Sequence, residues 1–370
     1  MTRVLHIARY RLAMLDRKLT LVARSGEFDV SLLRPTPRRP LPGAEGAGAG
    51  IRQMIHVPLL GTNPHTAVYA ALALSLPRLQ PDLIHAEEEP DSIGAFQVAL
   101  ARRLFAPRAR LIFHTWQNVN RQKGWHVWRV IRSNLRQADG VACASAEAIA
   151  LLRTFGFHGP AAEVPQYGVD LNVFRPGGVR EPSEVLSVLY AGRLIVEKGL
   201  DTLIDAVAIV NVPLQLTIVG DGPCRASLEA HACASGVADR VEFVARVLPD
   251  DLARRMARSD VLVLPSRTTP VWKEQFGRVL VEAMACAVPI VGSRSGAIAD
   301  VIGDGGLVFD EGDALGLAAC LSRLAMSVRL RRELGARGHA RVLERYSQER
   351  IAERTADFYR QILSSSAQFS

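Results

Sequence analysis

Two acids, two bases and a few glycines are the residues of this sequence best suited to chemistry. In the run Glu274-Gln-Phe-Gly-Arg-Val-Leu-Val-Glu282, Glu282 is the only charged residue of the stretch VLVEAMACAVPIV over 279–291. A carboxylate on an otherwise apolar helix is costly to bury, so a cation or a hydroxyl-rich molecule must meet it. Glu274 stands eight residues earlier, before Phe276-Gly277, where the chain is expected to enter that helix. Amides at a helix start lack partners and carry the positive end of the helix dipole, which suits a phosphate. Carboxylate, free amides and a deeper carboxylate together fit a sugar carried on a nucleoside diphosphate. An N-capping Glu274 and a core Glu282 paired with an arginine would explain the same pattern.

A second segment asks for the same ligand. In Gly192-Arg193-Leu-Ile-Val-Glu-Lys198-Gly199 an arginine leaves a strand and a lysine opens the next helix. Both cations and the helix amides can then converge on one diphosphate. Val219-Gly220-Asp221-Gly222-Pro223 is a third loop after a strand, where glycines admit a ligand or simply make a turn. Arg9-Tyr10-Arg11 follows the first strand in place of a Gly-x-Gly-x-x-Gly, so a dinucleotide cofactor is not supported. A Walker loop, a Gly-x-Ser-x-Gly elbow and a His-x-x-x-His pair are also absent from the sequence. The carboxylates Glu87, Glu88 and Glu89 lie in the other half from the diphosphate cations, so no cofactor and a metal-independent reaction are expected.

The elements that must position these loops alternate. Strands are predicted over 3–8, 28–33, 54–59, 82–86, 111–114 and 141–144, and helices over 12–23, 66–79, 92–104, 125–136 and 146–155. Such alternation implies a parallel, doubly wound sheet, whose ligands bind at the carboxyl ends of the strands. The polar residues falling there are Arg9 and Tyr10, Glu87 to Glu89, and His114 to Asn118. A Gly- and Ala-rich loop is expected over 42–50 and a linker over 175–183. The alternation then restarts, with strands over 185–191, 214–219, 241–244, 261–264 and 289–291. A solvent-facing helix over 327–350 and an amphipathic one over 349–363 close the chain.

At 370 residues the chain is too long for one ordinary core, and two domains are expected. Its composition, 48% hydrophobic and 22% charged, is that of a globular enzyme. MTRVLHIARY has no apolar signal core, and no window reaches the apolar length of a membrane span. Five scattered cysteines without a Cys-x-x-Cys pair point to reduced thiols and a cytoplasmic location. The net charge of +8 is local: residues 92–138 hold nine cations and no acid. There Trp128, Ile131 and Leu135 share one helical face and Arg129, Arg132 and Arg136 a neighbouring one. A basic amphipathic helix over 121–136 suits the inner face of an anionic membrane, and a helix packed on its sheet with solvated arginines accounts for it as well. No recognition motif accompanies the charge, so nucleic acid is not an expected partner.

Gly192 to Gly199, Val219 to Pro223, Glu274 to Glu282 with its Phe-Gly, and Asp310-Glu-Gly-Asp313 together resemble the retaining glycosyltransferases of family 4 (group 1). The resemblance implies the GT-B fold, two Rossmann-like doubly wound domains facing each other across a cleft. The acceptor-side domain would span 1–176 with the crossover helix 349–370, and the nucleotide-sugar domain 177–348. It also implies that Arg193 and Lys198 hold the donor diphosphate, Glu274 the sugar hydroxyls and Glu282 the ribose, with Phe276-Gly277 presenting amides and Gly220 beside the donor. His114 falls where many members carry a histidine near the donor sugar, with a core histidine as the alternative. Glu87, Glu89 and Asn118 would face the acceptor, and Glu88 a solvated loop. The first half departs from the family: its Gly-Gly loop is missing, and Gln166-Tyr167 replaces the asparagine of a Pro-Asn-Gly-Val-Asp segment.

The implied reaction is hexosyl transfer from a nucleoside diphosphate sugar to an acceptor hydroxyl, with retention, on a lipid-linked or cell-envelope polysaccharide. A sugar-nucleotide epimerase of the same fold and a non-catalytic sugar-nucleotide-binding module are the alternatives. An epimerase would change the sugar with no acceptor present. The sequence fits UDP, GDP and ADP donors equally well.

Overall fold

Parallel sheets are covered on both faces, so their strands read as nearly continuous apolar runs. The computed structural model describes residues 1–9, 13–36, 50–178 and 184–365. Tyr10 and Arg11, nearly all of the 42–50 loop, 179–183 of the linker and the end of the last segment, 366–370, lie outside the described residues. The chain divides into two units, Met1–Gly168 with Gln348–Ser370, and Val169–Ser347.

The first unit is built on β1 (Thr2–Ala8), β2 (Phe28–Pro35) and β3 (Gln53–Val57), a ribbon of β4 (Leu59–Leu60) and β5 (Val68–Tyr69), then β6 (Leu83–Glu87), β7 (Arg110–Thr115), β8 (Gly140–Cys143) and β9 (Ala161–Glu163). Seven of these form one sheet in the order β3-β2-β1-β6-β7-β8-β9, every pair parallel. Helix Ile93–Phe105 begins where the Ser92 hydroxyl accepts from the Ala95 amide at 2.9 Å. The last helix, Gln348–Ser364, returns to this unit and buries Ile351, Phe358, Tyr359 and Ile362.

The second unit contains β10 (Leu186–Ala191), β11 (Leu214–Val219), β12 (Val241–Val244), β13 (Val261–Leu264), β14 (Ile290–Ser293) and β15 (Gly306–Phe309). Their order is β12-β11-β10-β13-β14-β15, again all parallel. In each sheet the chain order reverses once, between β1 and β6 and between β10 and β13. Loops leaving the carboxyl ends of such a strand pair diverge and open a crevice.

Two expectations about helices need correction. The predicted helix over 66–79 starts only at Leu72, because Val68-Tyr69 pairs with Leu59-Leu60 and the Tyr69 side chain is buried. Helix Val328–Arg345 does not merely face solvent: Arg331, Leu334 and Val342 are buried, and it packs on helix Arg278–Ala285.

Candidate functional site

The reversal point of the second sheet gathers the loops that carry the predicted chemistry. The loop after β10 holds Arg193 and Lys198, and the loop after β13 holds Ser266 and Glu274. Lys198 Nζ lies 2.5 Å from Glu274 Oε2, and the Ser266 hydroxyl donates to the same oxygen at 3.0 Å. The Trp272 ring lies 5.1 Å below the ammonium. Glu274 is 8% exposed, so the pair keeps an opening to solvent. An ammonium has three donors and a carboxylate about four acceptor positions, so each can hold the other and still bind a ligand.

Backbone contacts fix this geometry. Gly192 N donates to Val219 O, Leu194 N to Asp221 O and Cys224 N to Leu194 O, each at 3.0 Å, stitching the loops after β10 and β11 together. A Cβ on Gly220 would stand 1.9 Å from the Gly192 carbonyl, so this crossing needs glycine. Gly199 has φ +62°, and a Cβ there would meet the Pro265 carbonyl at 2.2 Å. Helices Leu200–Ile209 and Arg278–Ala285 both begin at glycines, Gly199 and Gly277, with no side chain capping either start. Helix starts of this kind suit an anion, although the Leu280 amide already donates to the Gly277 carbonyl at 2.8 Å. Glu274 is thus not an N-cap; it belongs to the lysine. Glu311 accepts from the Thr268 amide at 2.5 Å and hydroxyl at 2.6 Å, anchoring the start of the Glu274 loop. Arg193 is exposed; its carbonyl accepts from the Tyr190 hydroxyl at 2.9 Å, and its guanidinium makes no ion pair among the described residues. Phe276 is half-buried, edge-on to Tyr346 with ring centroids 5.6 Å apart.

Glu282 is buried and meets Arg278 Nε at 2.9 Å, one helical turn earlier. Burial raises its carboxyl, Arg278 opposes the rise, and the result is about 7. Both folded and unfolded carboxyls are protonated at low pH. As pH climbs from about 4.5 to about 7 the unfolded chain ionises first, so stability falls through that window and stays reduced above it. Glu282→Gln removes this liability. Relative to the parent, the variant should gain up to about 3 kcal/mol between pH 5 and pH 8. Denaturant midpoints at the two pH values measure this, and a difference independent of pH would contradict it.

The first unit holds a different assembly. His6, Lys18, His85, Glu87 and His114 are each almost wholly buried. His6 Nε2 lies 3.1 Å and Lys18 Nζ 3.5 Å from Glu87 Oε1, and Gln166 Nε2 donates to Glu87 Oε2 at 2.8 Å. Burial alone would raise the Glu87 carboxyl, but Lys18 and His6 outweigh it and hold it at about 2. His114 stacks between His85 and Trp116 at centroid distances of 5.4 and 4.8 Å, and burial followed by the Lys18 charge pushes it down to about 3. His85 meets the Tyr359 hydroxyl at 2.8 Å, tying the last helix to the sheet.

Sequence reasoning put Glu87 and His114 at the ligand; the structure gives both to the interior. Glu88 is no solvated loop residue either, for it is 2% exposed and accepts from Arg9, Tyr69 and Ser92 at 2.7 to 2.8 Å. The Arg9–Glu88 pair occupies the β1/β6 reversal point. Glu89 alone of the three stays half-buried; burial raises its carboxyl to about 8 against hydrogen bonds from Thr115 at 2.6 Å and the Trp116 amide at 2.8 Å. Asn118 is 6% exposed and donates to Glu147 at 3.1 Å.

Residues 186–327 match the model of glycosyl transferases group 1, and 19–166 that of the glycosyl transferase 4-like domain. A GDP-mannose-dependent alpha-(1-6)-phosphatidylinositol monomannoside mannosyltransferase of Mycobacterium tuberculosis is 30% identical over 72% of this chain and 74% of its own length. The chain belongs to the family 4 (group 1) glycosyltransferases. An N-acetyl-alpha-D-glucosaminyl L-malate synthase of Bacillus anthracis is 33% identical over 50% of this chain. This chain spans about half the length of that relative, 48%. Among solved structures, Anabaena HepE in complex with UDP superimposes with a TM-score of 0.76 at 18% identity, covering 98% of this chain and 100% of HepE. Sucrose-phosphate synthase from Thermosynechococcus elongatus gives 0.72 at 22%, covering 99% and 100%. The fold is GT-B.

Two departures of this family 4 glycosyltransferase from its relatives' pattern now have physical content. Where the Gly-Gly loop is missing, Arg9 reaches across the reversal point to Glu88 and to the carbonyls of Pro64 and Ala67. Gln166, in place of asparagine, reaches the buried Glu87.

Proposed function

We propose that this glycosyltransferase moves a hexosyl group from a nucleoside diphosphate sugar to an acceptor hydroxyl with retention, its diphosphate charge met by side chains instead of a metal. The carrying observation is the Lys198–Glu274 pair at the β10/β13 reversal point, beside two helix starts that no side chain caps. Transfer breaks the bond between the anomeric carbon and the phosphate through an oxocarbenium-like state. Lys198, Arg193 and the amides after Gly277 stabilise the departing diphosphate, where preorganised donors act most strongly. Glu274 accepts from the sugar hydroxyls, and Glu282 from the ribose. Glu89 and Asn118 are assigned to the acceptor side. A lipid-linked or cell-envelope acceptor suits the chain, given that a relative is named for action on a phosphatidylinositol mannoside and another for lipopolysaccharide core biosynthesis.

A panel of UDP, GDP and ADP sugars tests this reading by thermal unfolding. At one hundred times its dissociation constant the cognate donor should add about 2.7 kcal/mol of stability, and transfer from it should persist in excess chelator. A panel in which no sugar nucleotide raises the unfolding temperature would dismiss the donor site. Loss of transfer in chelator would dismiss only its independence of metal.

A further inference from the structure

The cation-rich stretch of residues 92–138 presents an apolar face that the packing of the first unit leaves uncovered. Helix Ile93–Phe105 turns Ala95, Val98 and Ala99 inward. Its opposite side carries Ile93, Phe96, Leu100 and Leu104, exposed by 36, 38, 43 and 61%. Their spacing of three, four and four places them on one line along the helix. The next helix, Trp125–Gln137, packs beside it and uses its own apolar residues differently: Ile131 and Leu135 face the core, and Trp128 lies edge-on to Phe155 at 5.2 Å. Its outer side is left with Trp125, 72% exposed, and Arg129, Arg132 and Arg136.

The charge around this stripe is of one sign. Arg103 and Arg108 are exposed at the end of the stripe, and neither they nor Arg129, Arg132 and Arg136 form an ion pair among the described residues. The acids bordering the stretch are already engaged. Asp139 holds Arg102 at 3.3 Å and Arg110 at 2.6 Å, and Asp91 holds Gln117 at 2.7 Å and His65 at 3.1 Å. Among the described residues no helix is long and apolar enough to cross a membrane. A line of large apolar side chains rimmed by unpaired arginines matches a surface that is anionic outside and hydrocarbon beneath.

We propose that helix Ile93–Phe105 is a membrane-docking element, seating Phe96, Leu100 and Leu104 among the acyl chains of an anionic bilayer while the arginines meet its phosphates. This places the inserting residues on a different helix from the 121–136 segment, for which the sequence pattern allowed membrane contact and packing on the sheet alike. The proposal is independent of the donor site, since vesicle binding needs no nucleotide.

Vesicle sedimentation tests it with the full chain. The parent should bind vesicles of phosphatidylcholine mixed with phosphatidylglycerol and not vesicles of phosphatidylcholine alone. Leu100→Ser with Leu104→Ser should weaken binding at least about tenfold, from the apolar area no longer buried. Arg132→Ala with Arg136→Ala, both at exposed positions, should weaken it about 30-fold at low salt and flatten its salt dependence. Absence of parental binding, equal binding to both vesicle types, or unchanged binding of either double variant would overturn the proposal. So would a leucine pair that turns a dimer into a monomer in sedimentation velocity, since the stripe would then be a contact between copies.

Discussion

Replacing Lys198 by methionine should lower donor-dependent turnover by about 10² to 10³-fold, and Glu274→Gln should do much the same. The two side chains touch at 2.5 Å, so each substitution also disturbs the other. Without Lys198 the departing diphosphate loses a positioned cation, and the Glu274 carboxylate, 8% exposed, loses the ammonium that stood 2.5 Å from it. Without the Glu274 charge, Lys198 is free to leave its place over Trp272. Residues acting as a unit are non-additive, so the double variant should be little slower than the slower single one. Steady-state rates of the three variants measure this. Rates within twofold of the parent would remove the pair from the site, and fully multiplied losses would show two independent roles.

The convergence of Lys198 and Glu274 was only half legible in the sequence. Each loop announced itself, since a strand-like run, glycines and a charged residue precede a helical period. Their meeting depends on β10 and β13 lying side by side, a fact of topology that no local pattern contains. The central strands were legible for a simple reason: β10, β11 and β13 are largely apolar runs bounded by polar or turn residues, and each spans the residues expected of it to within one. Two of the edge strands were not. Ala161–Glu163 has no apolar contrast, and Gly306–Phe309 begins on a glycine; both join their sheets through backbone pairing. The buried histidines left a trace in the sequence. His6 and His85 are register partners on adjacent strands, and His114 sits on the strand beyond. Lys18 stands four residues before Val22, on the stripe of its helix that turns inward. A lysine on that stripe demands a buried acid, and Glu87 at the end of β6 was available.

Glu87→Gln should destabilise the protein by about 3–5 kcal/mol, because it strands the Lys18 ammonium in the interior without a counter-ion. The glutamine keeps the size of the side chain, so the loss reports charge and not packing. The pH dependence gives a second signature. The Glu87 carboxyl is held at about 2 in the fold, below its ordinary 4.5. Its contribution is therefore complete above about pH 4.5 and vanishes as pH falls toward 2. The stability difference between parent and variant should shrink through that window by about 3 kcal/mol, a figure that other carboxylates do not disturb because they titrate in both proteins. Lys18→Met combined with Glu87→Gln should recover much of the loss, since a pair replaced on both sides leaves no uncompensated charge. Denaturant unfolding of the four proteins at pH 7 and pH 3 decides the matter, about 2 kcal/mol of that shrinkage falling between the two. A single-variant loss below about 1 kcal/mol, typical of an exposed pair, would mean that water reaches Lys18 and Glu87 and that the network does not hold the interior together.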